Sequence, residues 1–448
     1  MIPVVALVGR PNVGKSTLFN RLTRSRQALV DDQPGVTRDR LYGEVWRGSQ
    51  KVLVVDTGGL SDEAGELSNA VRQQVDQALE EADAVVFIVD ARDGLTHQDI
   101  AIGANLRKGD SPVFVAVNKA EGLDGPTIGA EYFELALGDP LVLSARTGQG
   151  VEELLGQVLA RFPLSEAGTA VDNGRRVAVV GRPNVGKSTL VNALVGEPRL
   201  IVADSPGTTR DSIQVPMDRY GQRMVLVDTA GVRRKSRVHE TLEKFSVVKT
   251  LQALASADAA LLVLDARAGL SDQDAAIAGI IVDSGRSIVV AVNKWDGLER
   301  RDRNLIRRDL TRRLDFLPEH ESLFISALHG SGIGDLIGAL QRAQGSALAE
   351  LGTGALNRAL AGALEHHSPP LINNRTVKPK YAHQGGRNPP IVVLHGNLLH
   401  KLPASYLRYL GRSLAKTFHL IGTQVRFELR KAGNPYSGRP SYHRRKHQ

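Results

Sequence analysis

Gly9-Arg-Pro-Asn-Val-Gly-Lys-Ser-Thr17 recurs letter for letter as Gly181-Arg-Pro-Asn-Val-Gly-Lys-Ser-Thr189, 172 positions further on. Each copy fits Gly-x4-Gly-Lys-Ser, in which successive backbone N–H groups of a glycine-rich loop wrap a phosphate chain at a helix N-terminus. Gly9, Gly14, Lys15, Ser16 and Thr17 are therefore the expected phosphate ligands of one site. Gly181, Gly186, Lys187, Ser188 and Thr189 are those of a second. Lys15 and Lys187 have the reach for the β- and γ-phosphates, and the Ser16 and Ser188 hydroxyls suit Mg²⁺. Two matches with identical intervening residues do not arise by chance.

Further motifs follow each loop at matched distances. Pro34-Gly-Val-Thr-Arg-Asp39 and Gly207-Thr-Thr-Arg-Asp211 are polar stretches in which Thr37 and Thr209 can close over the metal. Asp56-Thr-Gly-Gly59 and Asp228-Thr-Ala-Gly231 leave apolar runs, which aims Asp56 and Asp228 at the metal shell and the Gly59 and Gly231 N–H groups at the γ-phosphate. A strand-end Asp capping a turn is the plainer reading of such a residue. The upstream loop some forty residues away decides between the two. Asn118-Lys119-Ala-Glu121 and Asn293-Lys294-Trp-Asp296 come next, then Ser144-Ala145 and Ser326-Ala327. A carboxylate at position 121 or 296 accepts from guanine N1–H and the 2-amino group, donors that adenine does not present, so the pair selects GTP over ATP. Asp is expected there. Glu121 is one methylene longer and is expected to meet guanine less squarely. Lys15 to Lys187, Thr37 to Thr209 and Asp56 to Asp228 are 172 apart, Asn118 to Asn293 is 175, and Ser144 to Ser326 is 182. A duplicated domain with small insertions late in its second copy explains all five intervals.

The apolar runs Val4 to Val8, Val52 to Val55, Ala84 to Val89, Val113 to Val117 and Leu141 to Leu143 are short and Val-rich, with helical stretches between them. That is the pattern of buried parallel strands joined by crossover helices, an α/β fold with its ligands at the carboxyl ends of the strands. Glu80, Glu81 and Asp83 are read as the solvated face of a helix over 69–82. The expected partition is a first nucleotide domain over 1–162, a linker over 163–175 poor in apolar periodicity, and a second nucleotide domain over 176–344. A small α+β domain over 345–432 and a basic disordered tail over 433–448 complete it. In that last domain helices are expected near Ala355 to His366 and Ala404 to Phe418. Strands are expected at Thr376 to Ala382, Ile391 to Leu394 and Gln424 to Leu429, with Gly385-Gly386 in the connection between the first two.

Charge is unevenly placed. From Gly345 to Gln448 there are 16 Lys or Arg against three Glu and no Asp, a net +13, so the first 344 residues carry −4 of the chain's +9. A mildly acidic body with a strongly basic end points to a polyanionic partner, nucleic acid or ribosome. Arg233-Arg-Lys-Ser-Arg237, just after Gly231, is either solvated loop or a second polyanion contact. Cysteine is absent, which excludes disulfides and thiolate metal sites and fits a reducing compartment. No apolar run approaches the length of a membrane span.

The tandem Gly-Arg-Pro-Asn-Val-Gly-Lys-Ser, Thr-Arg-Asp, Asp-Thr-x-Gly and Asn-Lys motifs closely resemble the Der (EngA) family of ribosome-assembly GTPases, in the Era-like group. The resemblance implies a cytoplasmic, monomeric enzyme that hydrolyses GTP to GDP and phosphate at two sites during maturation of the large (50S) ribosomal subunit and its rRNA. It also implies a terminal KH-like domain. In related GTPases the loop Asn helps hold a K⁺ ion in place of an arginine finger, which carries over to Asn12 and Asn184. Leu60 and Val232 stand where signalling GTPases carry the Gln that orients water, so slow intrinsic turnover is expected. The alternative is a nucleotide-sensing, RNA-binding scaffold with negligible hydrolysis. A tRNA-modification GTPase would need a fused domain for which the partition leaves no segment.

Overall fold

The computed structural model describes residues 2–23, 28–29, 41–47, 50–57, 82–123, 128–162, 175–196, 214–219, 222–227, 247–372 and 375–431. Outside them lie Thr37, Gly59, Thr209, Asp228, Gly231, the 233–237 basic run, most of the 69–82 helix, the linker over 163–174 and the tail.

In the first repeat the strands are β1 (Val4–Val8), β2 (Ala28–Leu29), β3 (Leu41–Arg47), β4 (Gln50–Asp56), β5 (Ala84–Asp90), β6 (Val113–Asn118) and β7 (Leu141–Val142), with helices α1 (Lys15–Thr23), α2 (His97–Leu106) and α3 (Val151–Ala160). They form one sheet in the order β2-β3-β4-β1-β5-β6-β7. Every residue of β1 is buried, and alternate ones face opposite cores. Val4, Ala6 and Val8 pack with Phe87 and Ile102, whereas Val5 and Leu7 pack with Leu18, Phe19 and Leu154. Strands buried on both faces need no polar alternation, which is why these runs are continuous in the sequence.

The second repeat comprises β8 (Arg175–Val180), α4 (Lys187–Val195), β9 (Gln214–Arg219), β10 (Gln222–Val227), α5 (Val247–Ala255), β11 (Ala259–Asp265), α6 (Asp272–Ser284), β12 (Ser287–Asn293), α7 (Arg300–Arg313), β13 (Ser322–Phe324) and α8 (Ile333–Ala347). Its sheet order is β13-β12-β11-β8-β10-β9. Compactness does not follow the repeat. One unit gathers 1–183, 194–257 and 271–284, and the other 184–193, 258–270 and 285–448.

The five strands read from the first repeat's sequence run parallel, and both sheets are mixed because further strands join them. β3 runs antiparallel to β4, and β9 to β10. Two residues separate each pair, far too few for the crossover that a parallel pair needs. The alternation in Leu41-Tyr-Gly-Glu-Val-Trp-Arg47, with Val45 buried and Trp46 exposed, was the missed signal. Asp83 is a second correction. It caps the sheet by accepting the Val4 N–H at 2.8 Å, so it does not serve a solvated helix face.

The terminal domain contains α9 (Thr353–His366), β14 (Leu371–Ile372), β15 (Arg375–Thr376), β16 (Lys378–Gly386), β17 (Ile391–Asn397), α10 (Ala404–Thr417) and β18 (Arg426–Lys431). Strands β16, β17 and β18 form a sheet in that order, antiparallel then parallel, with Leu356, Leu360, Leu410 and Leu414 over Val392 and Leu394. Gly385 and Gly386 lie in β16 itself at a bulge, so the connection is only 387–390. The Asn357 side chain reaches from α9 to donate to the Ala382 carbonyl and accept its N–H, both at 2.8 Å. Within its unit, Ile288 donates to Gly422 at 2.7 Å and Gly422 to the Glu319 carbonyl at 2.5 Å, which fastens this domain to the start of β12.

Asn357→Ala leaves both backbone groups of the fully buried Ala382 without their side-chain partner. A loss of about 2 kcal/mol is expected, roughly a thirtyfold faster exchange of the Ala382 amide in hydrogen-exchange mass spectrometry or NMR.

Candidate functional site

Helix α1 begins at Lys15 because the preceding loop turns through two left-handed residues, Asn12 at φ 65° and Gly14 at φ 98°. The second loop repeats this at Asn184 (63°) and Gly186 (96°). Glycine is required at 14 and 186 on two counts. The φ is positive, and a Cβ would lie 2.3 Å from the Asn118 or Asn293 amide nitrogen.

That close approach is the joint of each site. Asn118, the last residue of β6, donates from Nδ2 to the Val13 carbonyl at 2.8 Å and accepts the Ala145 N–H on Oδ1 at 2.8 Å. Asn293, ending β12, does the same with Val185 and Ala327, each at 2.9 Å. Each phosphate loop is thereby tied to its own Asn-Lys motif and its own Ser-Ala motif. The Ser144 and Ser326 hydroxyls accept the Thr147 and His329 N–H groups and close the last turn.

Lys15 is buried, and its ammonium donates to the Gly9 and Arg10 carbonyls at 2.8 Å each. Burial pushes its pKa down, against the pull of Asp56. The Ser16 hydroxyl donates to Asp56 Oδ2 at 2.7 Å, so the first domain's expected hydroxyl and carboxylate metal ligands are already in contact. Thr17 and Thr189 are exposed, as are Asn12 and Asn184 at the mouths of the loops. Ser188 is half-buried at the start of α4. Gly9 and Gly181 follow directly on β1 and β8.

Beneath the base motifs lie ion pairs that the motif reading missed. Lys119 holds Asp90 at 2.5 Å, and Lys294 holds Asp265 while donating to the Asn184 carbonyl at 2.8 Å. Burial alone would raise Asp90 and Asp265, but the lysines and backbone N–H donors hold both below the usual carboxylate range. Arg92 bridges the Lys119 carbonyl and Glu121 Oε1, both at 3.3 Å, and Arg267 bridges the Asp296 carbonyl and Oδ2, both at 3.0 Å. Ser144 and Arg92 lower the Glu121 pKa, and Ser326 and Arg267 that of Asp296, so both base readers are anionic acceptors. The loop arginines are also anchored. Arg10 meets Asp93 at 2.7 Å and the fully buried Asp99 at 3.4 Å, and Arg182 meets the fully buried Asp274 at 2.8 Å. Apart from Asp93, whose counterpart is Ala268, the signal was available, since Asp90, Arg92 and Asp99 recur 175 positions later as Asp265, Arg267 and Asp274.

Two outcomes follow from this geometry. Gly14→Ala or Gly186→Ala drives a methyl into the Asn amide and breaks the joint, so guanine-nucleotide affinity at the altered site should fall at least about a hundredfold in a fluorescent-GDP titration. Lys119→Met removes the strongest of the donors that hold the Asp90 carboxyl down against burial, so its pKa rises. A depressed carboxylate contributes stability that is present above its unfolded pKa and lost as pH falls through the folded one. The drop in melting temperature on this substitution should therefore be larger at pH 7 than near pH 4.

Comparison with known proteins agrees with this geometry. A family model described as "50S ribosome-binding GTPase" matches residues 4–119 and 176–294, and one described as "KH-domain-like of EngA bacterial GTPase enzymes, C-terminal" matches 351–430. The chain is 52% identical over 442 residues to GTPase Der of Thioalkalivibrio sulfidiphilus (strain HL-EbGR7), covering 98% of this chain and 95% of that one. It is 52% identical over 443 residues to GTPase Der of Herminiimonas arsenicoxydans, with 98% and 99% covered. With GTPase Der of Halorhodospira halophila (strain DSM 244 / SL1) it shares 51% over 444 residues, covering 98% and 94%. Half its residues are thus shared along almost the whole length with Der proteins, and its terminal domain matches the EngA-specific model. The chain belongs to the Der (EngA) family of GTPases, with two guanine-nucleotide-binding domains in tandem and a KH-like domain at the end.

Proposed function

We propose that this GTPase cycles on and off the assembling large (50S) ribosomal subunit in the cytoplasm, as a monomer, and hydrolyses GTP at both sites. The observation that carries the two-site reading is the duplicated Asn joint, which holds the phosphate loop, base loop and Ser-Ala turn together in each copy with the same partners to within 0.1 Å. The ribosomal part is supported by the printed description of the matching family model and by the +13 charge past residue 344.

In this reading the domain limits are 1–162, 176–344 and 345–432. Gly9, Gly14 and Thr17, with Gly181, Gly186 and Thr189, present backbone N–H groups to the phosphates. Lys15 leaves the Gly9 and Arg10 carbonyls for the β- and γ-oxygens, gaining a charged acceptor for a neutral one, and Lys187 serves the second site in the same role. Ser16, Thr37 and Asp56, and Ser188, Thr209 and Asp228, would hold Mg²⁺. The Ser16–Asp56 contact fits a small hard cation that takes oxygen ligands. When bound, Mg²⁺ neutralises charge on the transferring phosphoryl group. Gly59 and Gly231 offer N–H groups to the γ-phosphate. Asn118, Lys119, Glu121, Ser144 and Ala145, and Asn293, Lys294, Asp296, Ser326 and Ala327, form the guanine pockets. Asn12 and Asn184, exposed at the loop mouths, are the residues for a K⁺ ion. With Leu60 and Val232 in place of a water-orienting Gln, catalysis rests on charge neutralisation.

Single-turnover GTP hydrolysis should be at least about tenfold faster in KCl than in NaCl of equal strength, with Asn184→Ala removing the second domain's share of that gain at unchanged nucleotide affinity. Equal rates in the two salts remove K⁺ from the mechanism. Negligible turnover in both salts favours the scaffold reading. Sedimentation of the full chain with purified large subunits tests the partner. A chain that stays in the supernatant with GTP bound has some other target.

A further inference from the structure

Ser326 lies 33 positions after Asn293 in the second copy, where Ser144 lies 26 after Asn118 in the first. Among the described residues the first copy has the 3-10 turn Ala130–Leu135 in that interval. The second has the fourteen-residue helix α7, whose sequence is Arg-Arg-Asp-Arg-Asn-Leu-Ile-Arg-Arg-Asp-Leu-Thr-Arg-Arg. Seven arginines, no lysine and two aspartates make it the most cationic helix in the structure among the described residues. Asp309 pairs with Arg312 at 2.9 Å and Arg313 at 3.3 Å, whereas Arg300, Arg301 and Arg308 have no ion pair among the described residues.

The helix has an inner and an outer side. Leu310 is its one buried residue. At about 100° per residue, Arg301, Arg308 and Arg312 fall within roughly 40° of one another on the opposite face, in a stripe about 16 Å long. Like charges four apart, Arg303 with Arg307 and Arg308 with Arg312, oppose helix formation in isolation. On the inner side, the Arg303 and Arg307 guanidinium groups each lie 5.6 Å from the centre of the Trp295 ring, and Arg307 lies 5.0 Å from that of Phe324. The two rings are 4.2 Å apart. Trp295 stands between Lys294 and Asp296 in the base-reading motif, and its N–H donates to the Ile325 carbonyl at 3.1 Å, next to Ser326. Ala120 occupies the equivalent place in the first copy.

We propose that α7 docks on an RNA backbone, with Arg301, Arg308 and Arg312 gripping phosphates, and that the Arg303–Arg307–Trp295 stack transmits this contact to the guanine loop of the second domain. The proposal rests on the ribosome-associated reading and names the surface and chemistry through which it acts. Arginine in place of lysine suits the forked recognition of phosphate oxygens. An acidic protein partner would want an aromatic or aliphatic anchor beside the charges, and the outer stripe offers only Leu305. The stack makes the coupling physical, since α7 cannot shift without moving the ring beside Asp296.

The test uses the full chain carrying Trp46→Phe, which leaves Trp295 as its sole tryptophan and hence the energy donor that reports mant-GDP in the second site. Binding of a fluorescein-labelled RNA stem-loop is followed by anisotropy across a salt series. Arg301→Glu/Arg308→Glu should weaken it at least about tenfold and lower the salt slope by about two, and Arg301→Gln/Arg308→Gln should do so by a smaller margin. Saturating RNA should change the mant-GDP dissociation rate at least about threefold in the parent and not in the charge-reversed chain, whose RNA-free rate stays within about twofold. Unchanged RNA affinity and slope overturn the proposal, as does unchanged RNA binding with lost binding to poly-glutamate. An RNA-insensitive dissociation rate in the parent overturns the coupling. If the parent sediments with large subunits and the variant does so equally, α7 is excluded and the ribosomal reading stands. If the parent fails to sediment, that reading falls, and loss of stem-loop binding in the variant still supports α7.

Discussion

The carboxamide of Asn118, and of Asn293 in the second copy, donates to one loop and accepts from another while almost fully buried. Only a side chain with both a donor and an acceptor at its tip can do this. A carboxylate would face the Val13 or Val185 carbonyl with no proton to give, and an aliphatic residue would strand two backbone groups away from water. The glycine at 14 or 186 is the other half of the same constraint, since the amide occupies the space a Cβ would need. Phosphate binding and base reading are thus mechanically one object in each domain.

The sheets make that joint possible. Strands such as β1 and β12 are buried along their whole length, so their carboxyl ends emerge at fixed height from a two-sided core, and Asn118 and Asn293 are the last residues of their strands. Around the joint, cations meet internal acceptors. Lys15 is satisfied by two carbonyls, and Asp56 by Ser16. A nucleotide phosphate therefore competes with existing hydrogen bonds, which keep the loop in shape before the ligand arrives. Arg10 and Arg182, each reaching a fully buried carboxylate in the first turn of α2 or α6, brace the loop from outside.

The two copies share this machinery and differ at its rim. Glu121 and Asp296 are each held by an arginine of the preceding strand-end loop, and the longer Glu121 is met by Arg92 at a slightly longer distance than Arg267 meets Asp296. The second copy alone has a tryptophan inside the base motif and an arginine helix stacked on it. Duplicated chemistry with unlike surroundings is what separate regulation of two GTP sites requires.

The sequence by itself determined a great deal here. An exact nine-residue repeat and five matched intervals leave a duplicated phosphate-loop domain as the only economical reading, because backbone N–H wrapping of phosphate demands glycine at set positions. The buried strands were legible for a similar reason, since burial on both faces leaves continuous Val-rich runs. The antiparallel strands β3 and β9 escaped notice because a hairpin strand with one exposed side alternates and looks like loop, and Asp83 because a cap on a distant strand leaves no local pattern. Only the tertiary structure decided which charges meet. Arg92 with Glu121, Arg182 with Asp274 and Arg303 with Trp295 are separated by eight to ninety-two residues. Their pairing follows from strand order and helix placement, and one chain without its fold does not reveal either.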